Sequence, residues 1–158
     1  MTITLRPITK ANWRYVYQLT RTLTAEQQHF VAPNGFSMLE ALYEPNTFSA
    51  RALYADETPV GFLMTGYDAE NQRHWVVRFM VGGEHQGKGC GRAAMQIAID
   101  EFNAMPNCDA VFISFEPHNH VARGLYVSLG FLDTGRIEDG EAVYCLPLRE
   151  PTVSDSNA

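Results

Sequence analysis

The 158-residue chain is long enough to bury a hydrophobic core without disulfides or a structural metal, so a single domain is expected. Its 46% hydrophobic and 19% charged residues are typical of a globular protein, and no apolar run approaches the roughly 18 residues that cross a membrane, so no membrane partner is expected. The net charge of −6 disfavours nucleic acid as a partner and favours cationic small molecules.

The cysteines and the first residues of the chain predict its environment. Cys90, Cys108 and Cys145 are odd in number, widely separated and without metal-ligand spacing, so neither disulfides nor a metal site is expected. Residues 1–6 lack the basic and apolar regions of a secretory signal. Together these features predict a cytoplasmic protein.

The first half of the chain predicts two helical segments and an antiparallel meander. A short strand over 2–6 ends at Pro7, and Thr9 is suited to cap a helix over 10–23. The following elements are a restarted helix at 25–30, a break at 33–35, a helix at 38–43 capped by Ser37, and strands at 49–54, 60–67 and 73–81. Gly61 and Gly66 predict bulges or close approaches of the backbone.

The second half predicts alternating helices and strands. These are a helix at 91–103, a strand at 111–115, a helix from Asn119 or His120 to Leu129 closed by Gly130, and strands at 131–136 and 141–148 joined through 138–140. The order predicts one α+β domain with a mixed central sheet over residues 1–148. The polar tail, 149–158, is expected to be disordered.

A glycine-rich turn joins the third meander strand to the helix that follows it. It consists of Gln86, Gly87, Lys88, Gly89, Cys90, Gly91 and Arg92. Glycine lets the backbone turn sharply and point its N–H groups at one spot, and the helix N-terminus adds the positive end of a dipole. Lys88 and Arg92 add positive charge. The turn therefore predicts a phosphate site, the alternative being a plain connection between strand and helix.

The spacing distinguishes this turn from two other phosphate-binding loops. A dinucleotide fingerprint would need a glycine where Arg92 stands. A nucleotide-triphosphate loop over 82–89 would need a hydroxyl at Gly89. The remaining pattern, Gln-x-x-Gly-x-Gly at Gln86, Gly89 and Gly91, resembles the coenzyme A pyrophosphate loop of the GNAT superfamily of N-acetyltransferases.

A second motif supports the same resemblance. Asn119 is followed by Ala-Arg-Gly-Leu-Tyr-Val-Ser-Leu-Gly-Phe at 122–131, which matches the family pattern of Asn and then A-x-x-L-Y-x-x-x-G-F. The segments that are similar to the bacterial spermine/spermidine N-acetyltransferase branch are 28–34, 60–62, 66–68, 78–80, 86–89 and 115–117. The resemblance extends to Leu148 and implies a three-layer α/β/α fold with a mostly antiparallel GNAT sheet.

The resemblance also implies where acetyl-CoA is bound. The 86–92 turn would hold the pyrophosphate. Main-chain groups of Phe79 and Val81, with Met80 between them, would pair with the pantetheine in a gap between two neighbouring strands. Asn119 would hydrogen-bond the pantetheine arm, although it is equally suited to cap the next helix.

The chemistry requires a proton donor and a proton acceptor. The resemblance makes Tyr126 the donor to the leaving sulfur, although a lone tyrosine on such a helix is more often a core residue. The attacking ammonium must lose a proton. Some polyamine acetyltransferases carry a Glu on the strand before the loop, but 75–78 has no carboxylate. Glu116, directly or through water, is the preferred base, and Glu84 and His118 are weaker candidates.

Recognition of a polycation needs spaced carboxylates and aromatic faces. The helical segments offer Glu26, His29, Phe30, Glu40, Tyr43 and Glu44, and the last hairpin adds Glu138, Asp139 and Glu141. Each acid taken singly is more often a solvated surface charge. Glu26 and Glu40 are the first candidates for substrate binding.

The leading hypothesis is an acetyl-CoA-dependent N-acetyltransferase that acts by direct attack in a ternary complex on a polyamine or a similar small diamine. One alternative acceptor class is an amino acid, an aminoglycoside or a protein N-terminus. Another alternative is an acyl-CoA-binding module without turnover. The residues do not indicate the oligomeric state, although the resemblance admits a homodimer.

Overall fold

A seven-stranded sheet runs through the computed structural model, which describes residues 1–149. The elements in chain order are β1 (Ile3–Pro7), α1 (Trp13–Leu19) with a 3₁₀ turn at Thr20–Thr22, α2 (Ala25–Phe30), α3 (Asn34–Tyr43), β2 (Phe48–Ala55), β3 (Thr58–Asp68), β4 (Arg73–Val81), a 3₁₀ turn at Gly83–His85, α4 (Cys90–Ala104), β5 (Ala110–Phe115), α5 (His120–Ser128), β6 (Leu132–Glu138) and β7 (Glu141–Pro147). The strand order is β1-β2-β3-β4-β5-β7-β6, and only β4 and β5 are parallel. This confirms the predicted mixed, mostly antiparallel α+β fold.

Helices cover both faces of the sheet. On one face, α4 and α5 bury Met95, Phe102 and Tyr126 against the inward side chains of β4, β5 and β7. On the other face, α1 buries Val16 and Leu19 against β2, β3 and β4. The alternation of inward and outward side chains along each strand supplies one apolar surface to each helical layer. The result is the predicted three-layer arrangement.

The helical region before β2 differs from the prediction. α1 begins at Trp13 rather than at residue 10, and residues 10–12 form a turn in which the Thr9 hydroxyl accepts from the Ala11 N–H at 3.2 Å. The Asn12 amide donates to the carbonyl of Pro7 and to the hydroxyl of Tyr54, at 3.0 and 3.2 Å. These bonds join the start of α1 to β1 and β2. The predicted continuous helix over 10–23 ends in a 3₁₀ turn at Thr20–Thr22.

The break predicted at 33–35 lies at 31–33 instead, and the cap predicted at Ser37 is wrong, because α3 starts at Asn34. Pro33 precedes a helix readily, since the N–H that proline lacks would have no partner there. The Asn34 side chain is buried, with 1% exposed, and donates to the Val16 carbonyl at 2.8 Å. This tertiary bond ties α3 to α1. Ser37 is buried inside the helix.

β4 and β5 separate where the glycine-rich turn approaches. They pair only from His74↔Val111 to Val76↔Ile113. A shift in the β3–β4 register leaves Val77 as an extra residue at this point, and such a bulge bends the strand. Beyond it, the backbone groups of β4 that face β5 have no strand partner within residues 1–149. The gap implied by the resemblance is therefore present.

Two further expectations concern membrane-spanning helices and the C-terminal tail. None of the helices within 1–149 is long and apolar enough to cross a membrane. Arg149 donates to the carbonyls of Met105 and Pro106, both at 2.7 Å. The rest of the predicted disordered tail, 150–158, lies outside the described residues, and the assignment of one domain to 1–148 stays a prediction.

The two close approaches predicted at Gly61 and Gly66 exist, and the one at Gly61 has a testable consequence. A Cβ at Gly61 would lie 2.4 Å from the Met80 carbonyl oxygen, whereas a Cβ at Gly124 on α5 would meet no atom within 4 Å. We expect Gly61→Ala to lower the free energy of unfolding by about 1–3 kcal/mol. We expect Gly124→Ala to raise it by roughly 0.5–1 kcal/mol. Urea denaturation measures both, and equal stabilities would contradict the close approach.

Candidate active site

A cleft of about 970 Å³ opens where β4 and β5 diverge. It brings together most of the residues that the sequence predicted for the site, from five different elements: Glu26, His29, Phe30, Phe79, Met80, Val81, Gln86, Gly87, Gly89, Cys90, Gly91, Arg92, Glu116, Asn119 and Tyr126. Lys88 and Glu40 do not line it. Lys88 is exposed, and Glu40 pairs with Arg78 at 3.7 Å between Oε1 and Nη2.

The glycine-rich turn presents unpaired N–H groups to this cleft. Gly87 and Gly89 have φ of +72° and +83°, a left-handed conformation that glycine adopts without strain. Gly89 precedes α4, whose first backbone bond runs from Ala93 N–H to the Gly89 carbonyl at 3.1 Å. The N–H groups of residues 90–92 have no acceptor within residues 1–149. With the dipole of a 15-residue helix behind them, they favour an anion.

Two glutamines hold the turn against its neighbours. The Gln86 side chain donates to the Val81 carbonyl at 3.0 Å and accepts from the Gln27 amide at 2.9 Å. Gln27 also forms a capping box with Thr24 at the start of α2. The sequence shows the Thr-x-x-Gln capping pattern, but no local signal reveals the bond from Gln27 to Gln86, 59 residues away. α2 is thereby linked to the glycine-rich turn.

Positive charge is placed at one side of the turn. The Arg92 guanidinium lines the cleft and donates to the hydroxyl of Ser128 on α5. Ser128 in turn donates to the Leu125 carbonyl at 2.6 Å. These contacts hold Arg92 beside the N-terminus of α4, where its charge adds to that of the helix dipole.

Tyr126 is buried, with 5% of its surface exposed, between Phe115 and Phe131, at centroid distances of 5.4 and 5.8 Å. Burial raises the pKa of its phenol, and the Glu141 carboxylate raises it further. The phenol is therefore protonated at neutral pH. Its oxygen has no hydrogen-bond partner within residues 1–149 and lies in the cleft wall, so it is available to donate.

Asn119 caps α5, since its Oδ1 accepts from the Ala122 N–H at 3.2 Å. The capping role that the sequence offered is thus present. Asn119 also lines the cleft, so its amide remains a candidate contact for a ligand.

Two carboxylates approach the cleft from neighbouring strands. Glu116 follows β5, and its Oε2 accepts from the His118 N–H at 2.7 Å. Glu141 begins β7, where Ala142 pairs with Phe115, and it also lines the cleft. Burial raises the pKa of the Glu141 carboxyl; Arg78 opposes this, and Glu116 adds to it. In the sequence, Glu141 is only one of three acids at the turn of the last hairpin, and no local pattern places it at the cleft.

Three further residues line the cleft although no sequence pattern indicates a role for them there: His85, His120 and Arg78. They lie on a turn, on the first turn of α5 and on β4, and only the tertiary fold brings them to one cavity. Within residues 1–149, no three His, Cys, Asp or Glu side chains are grouped so that they could hold a metal ion.

The profile of the acetyltransferase (GNAT) family matches residues 9–131, which is most of the chain. The chain belongs to the GNAT acetyltransferase family. It is therefore an N-acetyltransferase, and the resemblance found in the two sequence motifs is confirmed.

The relatives of this GNAT enzyme have several acceptors. Spermine/spermidine N(1)-acetyltransferase of Bacillus subtilis strain 168 is 31% identical over 112 residues, which are 66% of this chain and 74% of the relative. A chimera of spermidine N-acetyltransferase SpeG from Vibrio cholerae and hSSAT has a TM-score of 0.73 at 18% identity and covers 94% of this chain and 96% of its own. RimL, a ribosomal L7/L12 alpha-N-protein acetyltransferase in complex with coenzyme A, has a TM-score of 0.72 at 12% identity, with coverages of 93% and 94%.

The cleft fits the acetyl-CoA that the GNAT family uses. A Cβ at Gly87 or Gly89 would meet no atom within 4 Å, so the described residues leave the turn open on the side where these Cβ atoms would lie. Residues 90–92 would bind the pyrophosphate, and the main chain of Phe79 with the N–H of Val81 would bind the pantetheine amides, since the Val81 carbonyl already accepts from Gln86. The thioester supplies the acetyl group.

Proposed function

We propose that this GNAT enzyme acetylates a primary amine of a polyamine, such as spermidine or spermine, or of a similar small diamine. The observation that carries the proposal is the pair of carboxylates, Glu116 and Glu141, in one cleft with Tyr126. Such a pair attracts an ammonium group and repels an acidic acceptor. The spermine/spermidine N(1)-acetyltransferase among the relatives supports the same substrate class.

The α2 residues of the cleft suit the distal end of a polycation. Glu26, His29 and Phe30 all lie on α2 and line the cleft. A carboxylate and an aromatic face on a separate element would bind a second ammonium of a long, flexible amine. Glu40, the other first candidate for this role, is engaged by Arg78 instead.

The chemistry is proposed to be a direct attack of the amine on the thioester carbonyl. Cys90 does not provide a covalent route, because it is 2% exposed and its Sγ lies 3.8 Å from the Met1 sulfur. A cleft carboxylate takes a proton from the ammonium, and Tyr126 gives a proton to the departing sulfur.

Steady-state thiol release with acetyl-CoA and a panel of amines tests the substrate class. We expect the highest kcat/KM with spermidine or spermine, and a KM that rises with salt because charge recognition is screened. Acetyl-CoA without amine is the control. A preference for an amino acid, an aminoglycoside or an N-terminal peptide would replace the polyamine proposal. Coenzyme A binding without turnover on any amine would favour an acyl-CoA-binding module.

Two other expectations stay predictions. A cytoplasmic location is one, and a homodimer is the other. Sedimentation equilibrium of the purified chain would test the homodimer.

A further inference from the structure

Glu141 is placed at the reaction end of the cleft by the last hairpin. Asp139 and Gly140, with φ of +50° and +80°, form the tight turn that precedes it. The antiparallel pairing of β5 with β7 sets Ala142 opposite Phe115, which brings Glu141 beside the end of β5, where Glu116 follows. Glu141 therefore joins Glu116 and Tyr126 in the cleft wall through the register of the sheet.

The two carboxylates differ in what they already bind. Glu116 accepts the His118 N–H through Oε2, so part of its capacity fixes the turn after β5. The Glu141 carboxylate has neither a hydrogen bond nor an ion pair within residues 1–149. A half-buried carboxylate without a fixed donor is the better proton acceptor, because no hydrogen bond stabilises its charged form.

Four charged or titratable side chains near Glu141 lie on different parts of the fold. They are Arg78 on β4, Glu116 after β5, Asp139 in the turn and Tyr126 on α5. Burial is the largest effect and raises the pKa of Glu141; Glu116 and Asp139 raise it further, and Arg78 lowers it. Desolvation would lower the pKa of a bound ammonium, whereas the neighbouring carboxylates would raise it, so its proton needs a nearby acceptor.

We propose that Glu141 is the catalytic base that takes the proton from the acceptor ammonium, while Glu116 holds that ammonium in place. This assignment rests on the proposed function. It goes beyond the sequence motifs, neither of which includes the last hairpin.

The protons balance over one turnover. Glu141 takes one proton from the ammonium, and the freed lone pair forms the bond from nitrogen to the acetyl carbon. The carbon–sulfur bond breaks, and the sulfur takes the proton of the Tyr126 hydroxyl. The nitrogen then loses its surplus proton to the Tyr126 oxygen, and Glu141 releases its proton to water. The products are the N-acetyl amine, the free thiol and one proton.

Glu141→Gln tests the assignment, with Glu70→Gln as the matched control. Both variants replace one carboxylate by an amide of the same size, but Glu70 is exposed in the turn between β3 and β4 and does not line the cleft. We expect Glu141→Gln to lower kcat/KM for spermidine at pH 7 by ~10²-fold or more, and Glu70→Gln to leave it close to wild type. Glu141→Asp should recover part of the loss.

The pH profile separates a base from a structural residue. Wild type should have a plateau between the pKa of Glu141 and that of the amine. The kcat/KM of Glu141→Gln should instead rise about tenfold per pH unit toward the ammonium pKa of about 10.4, because only the free base reacts.

The stability of Glu141→Gln is a second readout. Since the pKa of Glu141 is raised in the fold, its ionised form destabilises the protein at neutral pH. Glu141→Gln should therefore be at least as stable as wild type in urea.

A measurement without acetyl-CoA gives an independent readout. A ¹³C NMR titration of the Glu141 carboxyl should show a pKa above the ordinary value of about 4.3. Wild-type turnover combined with full activity of Glu141→Gln would overturn the assignment, and a large loss in Glu116→Gln alone would transfer the role to Glu116. Absence of turnover in wild type on every amine would instead reject the proposed function.

Discussion

Replacement of Tyr126 by phenylalanine is expected to lower kcat by ~10²-fold or more while the affinity for coenzyme A is retained. The hydroxyl lies in the cleft wall, and burial keeps the phenol protonated, so its proton is available to the leaving sulfur. It has no hydrogen-bond partner within residues 1–149, and its removal therefore leaves no buried group unpaired. The variant should unfold at the same urea concentration as wild type.

Tyr144→Phe is the matched control for this experiment. Tyr144 is also buried, packs on the same Phe115 ring at 4.8 Å, and does not line the cleft. Removal of the Tyr144 hydroxyl should leave kcat unchanged. Steady-state kinetics and calorimetric titration of coenzyme A measure both variants. Equal kcat values for Tyr126→Phe and wild type would exclude Tyr126 as the proton donor.

Replacement of Gly89 by alanine is expected to weaken coenzyme A binding by roughly tenfold or more, which corresponds to about 1.4 kcal/mol. The backbone at Gly89 has a φ of +83°, which an L-residue adopts at a cost of about 1–2 kcal/mol. The strain is relieved if the turn relaxes, and relaxation would move the N–H groups of residues 90–92 out of line. A Cβ at this position would meet no atom within 4 Å, so the effect comes from the backbone rather than from a clash with protein.

Gly135→Ala provides the control for backbone strain alone. Gly135 in β6 has a φ of +76° and the same open surroundings, but it lies away from the cleft. Both variants should lose about 1–2 kcal/mol of unfolding free energy. Only Gly89→Ala should lose affinity for coenzyme A in calorimetry. Equal affinities for the two variants would show that the turn does not bind the pyrophosphate.

The helix and strand boundaries that the sequence predicted correctly are marked by capping and turn residues close to them. α5 is capped by Asn119 and followed by Gly130 with a φ of +101°, and the hairpin turns at Asp139 and Gly140. Each of these signals acts within a few residues, so no distant contact is needed to set the boundary. The conformation of the glycine-rich turn is likewise set by its own residues.

The helices before β2 could not be predicted in the same way. Asn12 is held by Tyr54, 42 residues away, and Asn34 is held by Val16, 18 residues away. A proline and a glycine that break a helix in isolation instead begin α3, because the buried Asn34 amide bonds to the Val16 carbonyl. Tertiary hydrogen bonds outweighed local propensity at these positions.

The sequence alone determined the family, the glycine-rich turn and the tyrosine in the cleft wall, because each is encoded in a continuous stretch whose backbone conformation follows from its own glycines and caps. Only the tertiary structure decided that Gln27 supports the turn, that Glu40 pairs with Arg78 and that Glu141 joins Glu116 in the cleft. These contacts depend on strand register and on bonds between distant segments. Such geometry arises only when the sheet is assembled and the apolar faces of its helices are buried.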